Sequence, residues 1–163
     1  MKPLPKTKHC FGCGSENIGG LNLTMHSDGK TVVAPWQPAE NHGGFKGVVH
    51  GGILATALDE IMVWAIGVTS GRFCFCAEMT VRYLSPVRVG ESLEISANLL
   101  TNRRDRIFTA EAKITDKSGQ IVTKATGKYM PMNGEDTKKM LEDFDQNAQS
   151  FMRGGRFCLE PND

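Results

Sequence analysis

Gly47-Val-Val-His50-Gly51-Gly52-Ile-Leu-Ala-Thr-Ala-Leu-Asp59-Glu60-Ile-Met-Val-Trp-Ala-Ile-Gly67 is the stretch that decides the fold. From Ile53 to Ile66 it is apolar on nearly every side, interrupted by Thr56, Asp59 and Glu60. A helix that is apolar all round is buried in a core or in a membrane, and adjacent carboxylates at its centre would be expensive in a bilayer. The stretch therefore predicts one central helix wrapped by the rest of a soluble chain, with no membrane partner.

A carboxylate on a buried helix must be hydrogen-bonded, paired or kept neutral, which makes Asp59 a candidate for chemistry. Glu60 lies about 100° further round and is expected on the helix's other side, as a substrate-contacting candidate only. At the helix start, His50-Gly51-Gly52 places unpartnered backbone N–H groups at the positive end of the dipole, where glycines let a carbonyl oxygen or anion come close. Gly51 and Asp59 are eight residues apart, about 12 Å along a helix at about 1.5 Å per residue. One reacting carbonyl cannot reach both. If the two act together, Asp59 of one copy meets the Gly51 end of another, as in a symmetric dimer with antiparallel central helices.

Composition narrows the class. The chain has 163 residues, 40% hydrophobic and 23% charged, which fits one globular domain. A net charge of +1 excludes a broad nucleic-acid-binding surface. The N-terminus carries no apolar run that would serve as a secretory signal, so a cytoplasmic location is expected. Cys10, Cys13, Cys74, Cys76 and Cys158 are an odd set in such a chain and predict reduced thiols. The Cys10-Phe-Gly-Cys13 spacing invites a zinc or redox reading, yet no second ligand pair and no βαβ context follow. It reads as a glycine-rich structural turn, with no metal and no cofactor assigned.

Strands flank the helix. Leu21 to Ser27 and Thr31 to Trp36 surround the hairpin signal Asp28-Gly29, with Pro35 and Pro38 ending the second strand. Asn41-His42-Gly-Gly-Phe-Lys-Gly47 is a loop into the helix, in which His42 reads as a surface residue and Asn41 and His42 are substrate-side candidates. Phe73 to Leu84 alternates with the period of a strand, and Leu93 to Thr101, Ile107 to Thr115 and Gln120 to Met132 follow across short turns suited to antiparallel neighbours. Beyond Gly134, Asp136 or Thr137 is expected to cap a helix with Met140, Leu141, Phe144, Ala148 and Phe151 on one face, ended by Gly154-Gly155. The organisation expected is a Cys-x-x-Cys segment over 1–20, a main domain over 21–133 and a helical tail over 134–163.

Six strands and one helix that is apolar on all sides leave least apolar surface wet if the sheet curls around the helix. This is the α+β hotdog fold, an antiparallel six-stranded sheet wrapped around one long central helix. Its open edges favour pairing with a second copy, a homodimer at least, with a homotetramer left open.

The run His50-Gly-Gly-Ile-Leu-Ala-Thr-Ala-Leu-Asp59-Glu60, followed by Ala77-Glu-Met-Thr-Val-Arg-Tyr83-Leu-Ser-Pro86-Val-Arg-Val-Gly90-Glu91, resembles the hotdog acyl-CoA thioesterases of the phenylacetyl-CoA type. Cys10-Phe-Gly-Cys13-Gly14 with Asn17 and Gly20-Leu21 is similar to a subgroup of their relatives. The resemblance implies hydrolysis of an acyl-CoA thioester in a site shared by two subunits. Asp59 matches the carboxylate that acts as general base or as nucleophile, and Gly51 the backbone N–H that polarises the thioester carbonyl. His50 orients that end of the site, next to Gly52. Two positions depart from the pattern: Gly44 stands where several relatives carry asparagine, with Asn41 or His42 as substitutes, and Cys76 where relatives place serine or threonine near Asp59. CoA phosphates call for basic residues at the mouth, with Arg82 and Arg88 among the candidates. Two other readings are an enoyl-thioester hydratase or dehydratase on the same fold, using a histidine in the loop before the helix, and a non-catalytic acyl-CoA binding module.

Overall fold

The apolar stretch forms a 20-residue helix, α1 (Gly51–Ser70), in the computed structural model, which describes residues 1–144 and 148–159. His50 caps its start, its side chain accepting from the Gly52 N–H at 2.9 Å and so satisfying a donor that the helix leaves orphaned. Gly71 ends it in the left-handed conformation, φ +73°, with its N–H bonded to the Gly67 carbonyl. Leu54, Ala57, Leu58, Ile61, Met62, Ala65 and Ile66 are all buried.

What buries them is one antiparallel sheet built from β1 (Lys2–Pro3), β2 (His26–Ser27), β3 (Thr31–Trp36), β4 (Cys74–Tyr83), β5 (Leu93–Arg103), β6 (Ile107–Asp116) and β7 (Ile121–Pro131). The strand order is β1-β2-β3-β5-β6-β7-β4, and β3 to β7 all contact α1. Alternation sets the faces: Leu93, Ile95 and Ala97 on β5, Phe108, Ala110, Ala112 and Ile114 on β6, and Thr123, Ala125 and Tyr129 on β7 are buried. Alanines at the centre of this face leave room for the helix.

The sheet has seven strands where the sequence predicts six. β1 accounts for the difference, and the first expected strand is also shortened. The N-terminus adds β1, and Leu21 to Met25 spends its hydrogen bonds on the first residues of the chain, with Leu21 N–H donating to Phe11, Leu23 to Gly12, and Leu4 to Met25. Only His26–Ser27 of the expected first strand is left to pair with β3. Pro35 lies within β3, paired to Glu94 on one side, where β2 no longer needs its missing N–H. On β4 a bulge between Cys76 and Glu78 breaks the expected strict alternation and re-aims the side chains around it.

The tail departs further from expectation. Asn133, not Asp136 or Thr137, caps α2 (Gly134–Glu142) by accepting the Asp136 N–H, and the helix stops at Glu142 instead of reaching Gly154. A 3-10 turn (Ala148–Phe151) and a hairpin of β8 (Met152–Arg153) and β9 (Arg156–Phe157) follow, with Gly154 and Gly155 as its turn. Phe144 and Phe157 are buried against Trp64 of α1, ring centroids 5.9 Å away in each case. The Phe157 N–H bonds to the Gly71 carbonyl, and Arg156 donates to the Ser70 carbonyl and pairs with Asp105. The N-terminal arm joins the tail: Lys8 N–H donates to the Asp143 carbonyl at 2.7 Å and Thr7 bridges to Phe144.

Candidate functional site

Asp59 sits midway along α1, half-buried, in the wall of a cavity of about 300 Å³. Glu60, Trp64, Phe73, Phe75 and Cys76 line it as well, and Thr7, Met140 and Phe144 reach it from the arm and tail. The Tyr129 hydroxyl donates to Asp59 Oδ1 at 2.9 Å. Tyr129 is fully buried on β7, directly opposite Cys76 on β4. Its ring lies over Gly127, where a Cβ would come within 2.7 Å of the ring edge. Burial, reinforced by the Asp59 carboxylate, pushes the phenol far above its usual range and keeps it a donor. Burial and Asp59 also push the Cys76 thiol up. Asp59 thus has one oxygen fixed by a permanent donor, with a neutral thiol alongside.

The other candidate feature is the start of α1. Among the described residues the Gly51 N–H donates to no group, while the Gly51 carbonyl accepts from the Tyr83 hydroxyl at 3.0 Å. Gly51 is half-buried, and Gly52 and His50 are exposed. Gly44 packs on His50 so closely that a Cβ there would lie 3.1 Å from the His50 Cα. An asparagine at 44 would therefore touch the capping histidine, and this chain closes that space with backbone. Since Gly51 and Asp59 share one continuous helix, they are about 12 Å apart within a chain.

His42 corrects the expectation of a surface loop histidine. It is 3% exposed, its Nδ1 accepts the Ala39 N–H and its Nε2 donates to the Gly20 carbonyl. Both nitrogens hold the loop, and the residue does not line the cavity. Asn41, beside it, is exposed. Arg88 bridges to Val48 by backbone, close to the start of α1. Arg82 lies elsewhere, in a groove of about 520 Å³ on the outer face of the sheet with Glu111, Lys113 and Lys124.

Glu60 also differs from expectation, because the cavity wraps round the side of α1 and takes in both carboxylates. Trp64 Nε1–H donates to Glu60 Oε1 at 3.0 Å, and Oε2 lies 3.3 Å from the Cys10 sulfur. Burial and the neighbouring Cys10 raise Glu60 to about 7. Hydrogen bonding from the Cys13 thiol lowers Cys10 to about 5, and Cys13, as its donor, moves up.

Sequence reasoning missed Tyr129 and the roof of arm and tail. Tyr129 was detectable in principle: alternation puts it inside with Ala125, and a buried tyrosine hydroxyl needs a partner, as does a buried aspartate. The roof carried no such signal, since it depends on long-range pairing of Thr7 to Lys8 with Asp143 and Phe144.

Known proteins match the same core. The family model of the thioesterase superfamily matches residues 46–123, from the loop before α1 into β7. Acyl-coenzyme A thioesterase 13 of Homo sapiens is 31% identical over 124 residues, which cover 76% of this chain and 81% of that protein. Zebra fish thioesterase superfamily member 2 superposes with a TM-score of 0.62 at 25% identity, over 66% of this chain and 80% of its own. The E. coli PaaI protein from the phenylacetic acid degradation operon shares the fold, with a TM-score of 0.63 at 18% identity over 69% and 81% of the two chains. The fold and these matches agree, and the chain belongs to the thioesterase superfamily as a hotdog-fold thioester hydrolase.

Proposed function

We propose that this protein hydrolyses acyl-CoA thioesters in two equal sites, each shared between two copies of the chain. Asp59 of one copy activates the attacking water or attacks the thioester itself, and the Gly51 N–H of the other copy polarises the carbonyl. The observation that carries this reading is the tether of Asp59 to Tyr129. One carboxylate oxygen is fixed by a buried hydroxyl, which orients the other as a base or nucleophile must be oriented. The apolar lining of Trp64, Phe73, Phe75 and Phe144 suits an aliphatic or aromatic acyl group. In this reading Arg88, exposed and bridged by backbone to Val48 near the start of α1, meets CoA phosphates.

The shared site needs a dimer, and the edge strand supplies a surface for one. β4 is the last strand of the sheet, and Phe75, Tyr83 and Leu84 on or next to it are each 53% exposed. An unpaired edge carrying large apolar side chains is a pairing surface. A hydratase reading is disfavoured by His42, whose two ring nitrogens are both committed to backbone groups.

The test is release of CoA thiol from a panel of acyl-CoAs by wild type and Asp59→Asn. The reading expects turnover by the wild type and loss of kcat in the variant with the fold intact. Equal rates for the two proteins would remove Asp59 from the mechanism, and tight CoA-ester binding with no turnover by the wild type would leave a binding module. Single turnover in ¹⁸O-water separates the two roles: label appears in the Asp59 carboxylate only if it is the nucleophile.

A further inference from the structure

Beside the cavity, and unused by the chemistry above, three metal-ligating side chains converge. The Cys10 and Cys13 sulfurs and a Glu60 carboxylate oxygen all lie within 4.8 Å of one another. We infer that Cys10, Cys13 and Glu60 form a binding site for a thiophilic divalent ion of the zinc class, with its fourth coordination position open toward the cavity.

The spacing fits such an ion. Zinc bonds of about 2.3 Å to sulfur and about 2.1 Å to oxygen in a tetrahedron place ligand atoms about 3.5–3.8 Å apart. The Cys10 sulfur and Glu60 Oε2 are already 3.3 Å apart. The surrounding groups prepare each ligand. The Gly12 N–H donates to the Cys10 sulfur at 3.2 Å, and the Gly14 N–H closes the turn onto the Cys10 carbonyl at 2.9 Å, a loop that offers backbone donors to a thiolate. Trp64 occupies Glu60 Oε1 and leaves Oε2 aimed at the sulfurs, the kind of outer contact that orients a ligand carboxylate. Gly12 is what allows this approach, because a Cβ there would stand 2.5 Å from Glu60 Cγ and 2.6 Å from its carboxylate. Among the described residues no ion pair involves Glu60. The sequence alone offers only two ligands at the Cys-x-x-Cys turn, and the third comes from α1, fifty positions away.

Two thiols and a carboxylate that take up a divalent ion release the thiol protons, and the ion ties the N-terminal arm to α1 next to Asp59. It does so at the wall of the cavity, since Cys10 and Glu60 both line it. The site does not depend on the assignment of Asp59 as base or nucleophile.

Cobalt titration of the full-length, reduced, chelator-stripped protein tests this, followed by competition with zinc. The expected result is saturation at one equivalent with thiolate-to-cobalt charge-transfer absorption and tetrahedral d–d bands, displaced by zinc, and a melting temperature that rises with zinc. Cys10→Ser and Cys13→Ser should each lose the two-thiolate band. Glu60→Gln, which removes a ligand, should keep that band and weaken binding by more than about 10-fold, the least that loss of an outer partner costs, and Cys158→Ser should behave as wild type. No saturable cobalt binding by the wild type would overturn the proposal. So would equal binding by the Cys10→Ser, Cys13→Ser double variant, or purification with a Cys10–Cys13 disulfide whose reduced form takes up no metal. If a cysteine variant fails to fold, Glu60→Gln and the wild-type zinc competition decide between the same outcomes.

Discussion

Tyr129→Phe isolates the tether on Asp59. The substitution removes one hydroxyl and keeps the ring, which is fully buried over Gly127. The lost bond is 2.9 Å long and runs to a carboxylate; hydrogen bonds to charged groups contribute about 1.5–3 kcal/mol. If that bond orients Asp59 for the reaction, the loss falls on the transition state. At about 1.4 kcal/mol per factor of ten, kcat should fall about 10- to 150-fold with KM little changed. Stability should move much less, because Asp59 faces a cavity where water can take the vacated position. For a chain of this size a change of about 1 kcal/mol shifts Tm by about 2–4 °C. The assay is thiol release from the best acyl-CoA of the panel, run beside a thermal melt. A kcat within about twofold of wild type would refute the role given to Tyr129, and a collapse of Tm matching the loss of activity would make it structural only.

Other outcomes follow from the same geometry. His42→Ala removes the partner of the Ala39 N–H and of the Gly20 carbonyl, which costs about 0.5–1.5 kcal/mol for each lost hydrogen bond; chemical denaturation should show that loss while kcat at permissive temperature stays near wild type, and an abolished kcat in folded protein would revive a catalytic histidine. Asp105 is held below the ordinary carboxylate value of 3.8 by Asn102 and then Arg156. Its contribution is therefore present above that value and is lost as pH falls through the lower folded value. Arg156→Ala should weaken the anchoring of β9, read as faster proteolysis of the tail at neutral pH, and the gap to wild type should narrow below pH of about 3.8; a gap independent of pH would contradict the pairing.

How much of this was legible depends on the range of the contacts. The helix from Gly51, the carboxylate midway along it and the strands of β3 to β7 follow from local pattern, because burial on one element dictates residue type position by position. Cys76 beside Asp59 came from resemblance, and Tyr129 completes that pair only through the register that sets it opposite Cys76. Register is a tertiary property, altered here by the bulge after Cys76. Glu60 was misplaced because helix angle alone does not say how far a cavity extends round the helix. His42 was misread because loop composition suggested solvent, whereas Trp36 and the Gly20 carbonyl enclose it. The tail was read as one helix from the spacing of Met140, Leu141, Phe144, Ala148 and Phe151, but α2 stops at Glu142, Phe144 packs on Trp64 and Phe73, and Phe151 stacks on Phe157 of the hairpin.

Mixing two crippled proteins tests the sharing of the site most directly. Asp59→Asn removes the carboxylate, and Gly51→Pro removes the backbone N–H at the first helical position, which tolerates proline; a Cβ there meets Tyr83 only at ordinary contact distance, 3.4 Å. Each should be inactive alone. A purified heterodimer of the two contains one site with both defects and one with neither, so it should recover about half the wild-type rate, and a random 1:1 reassociation about a quarter. No recovery in a verified heterodimer would contradict a site built from Asp59 of one copy and Gly51 of the other.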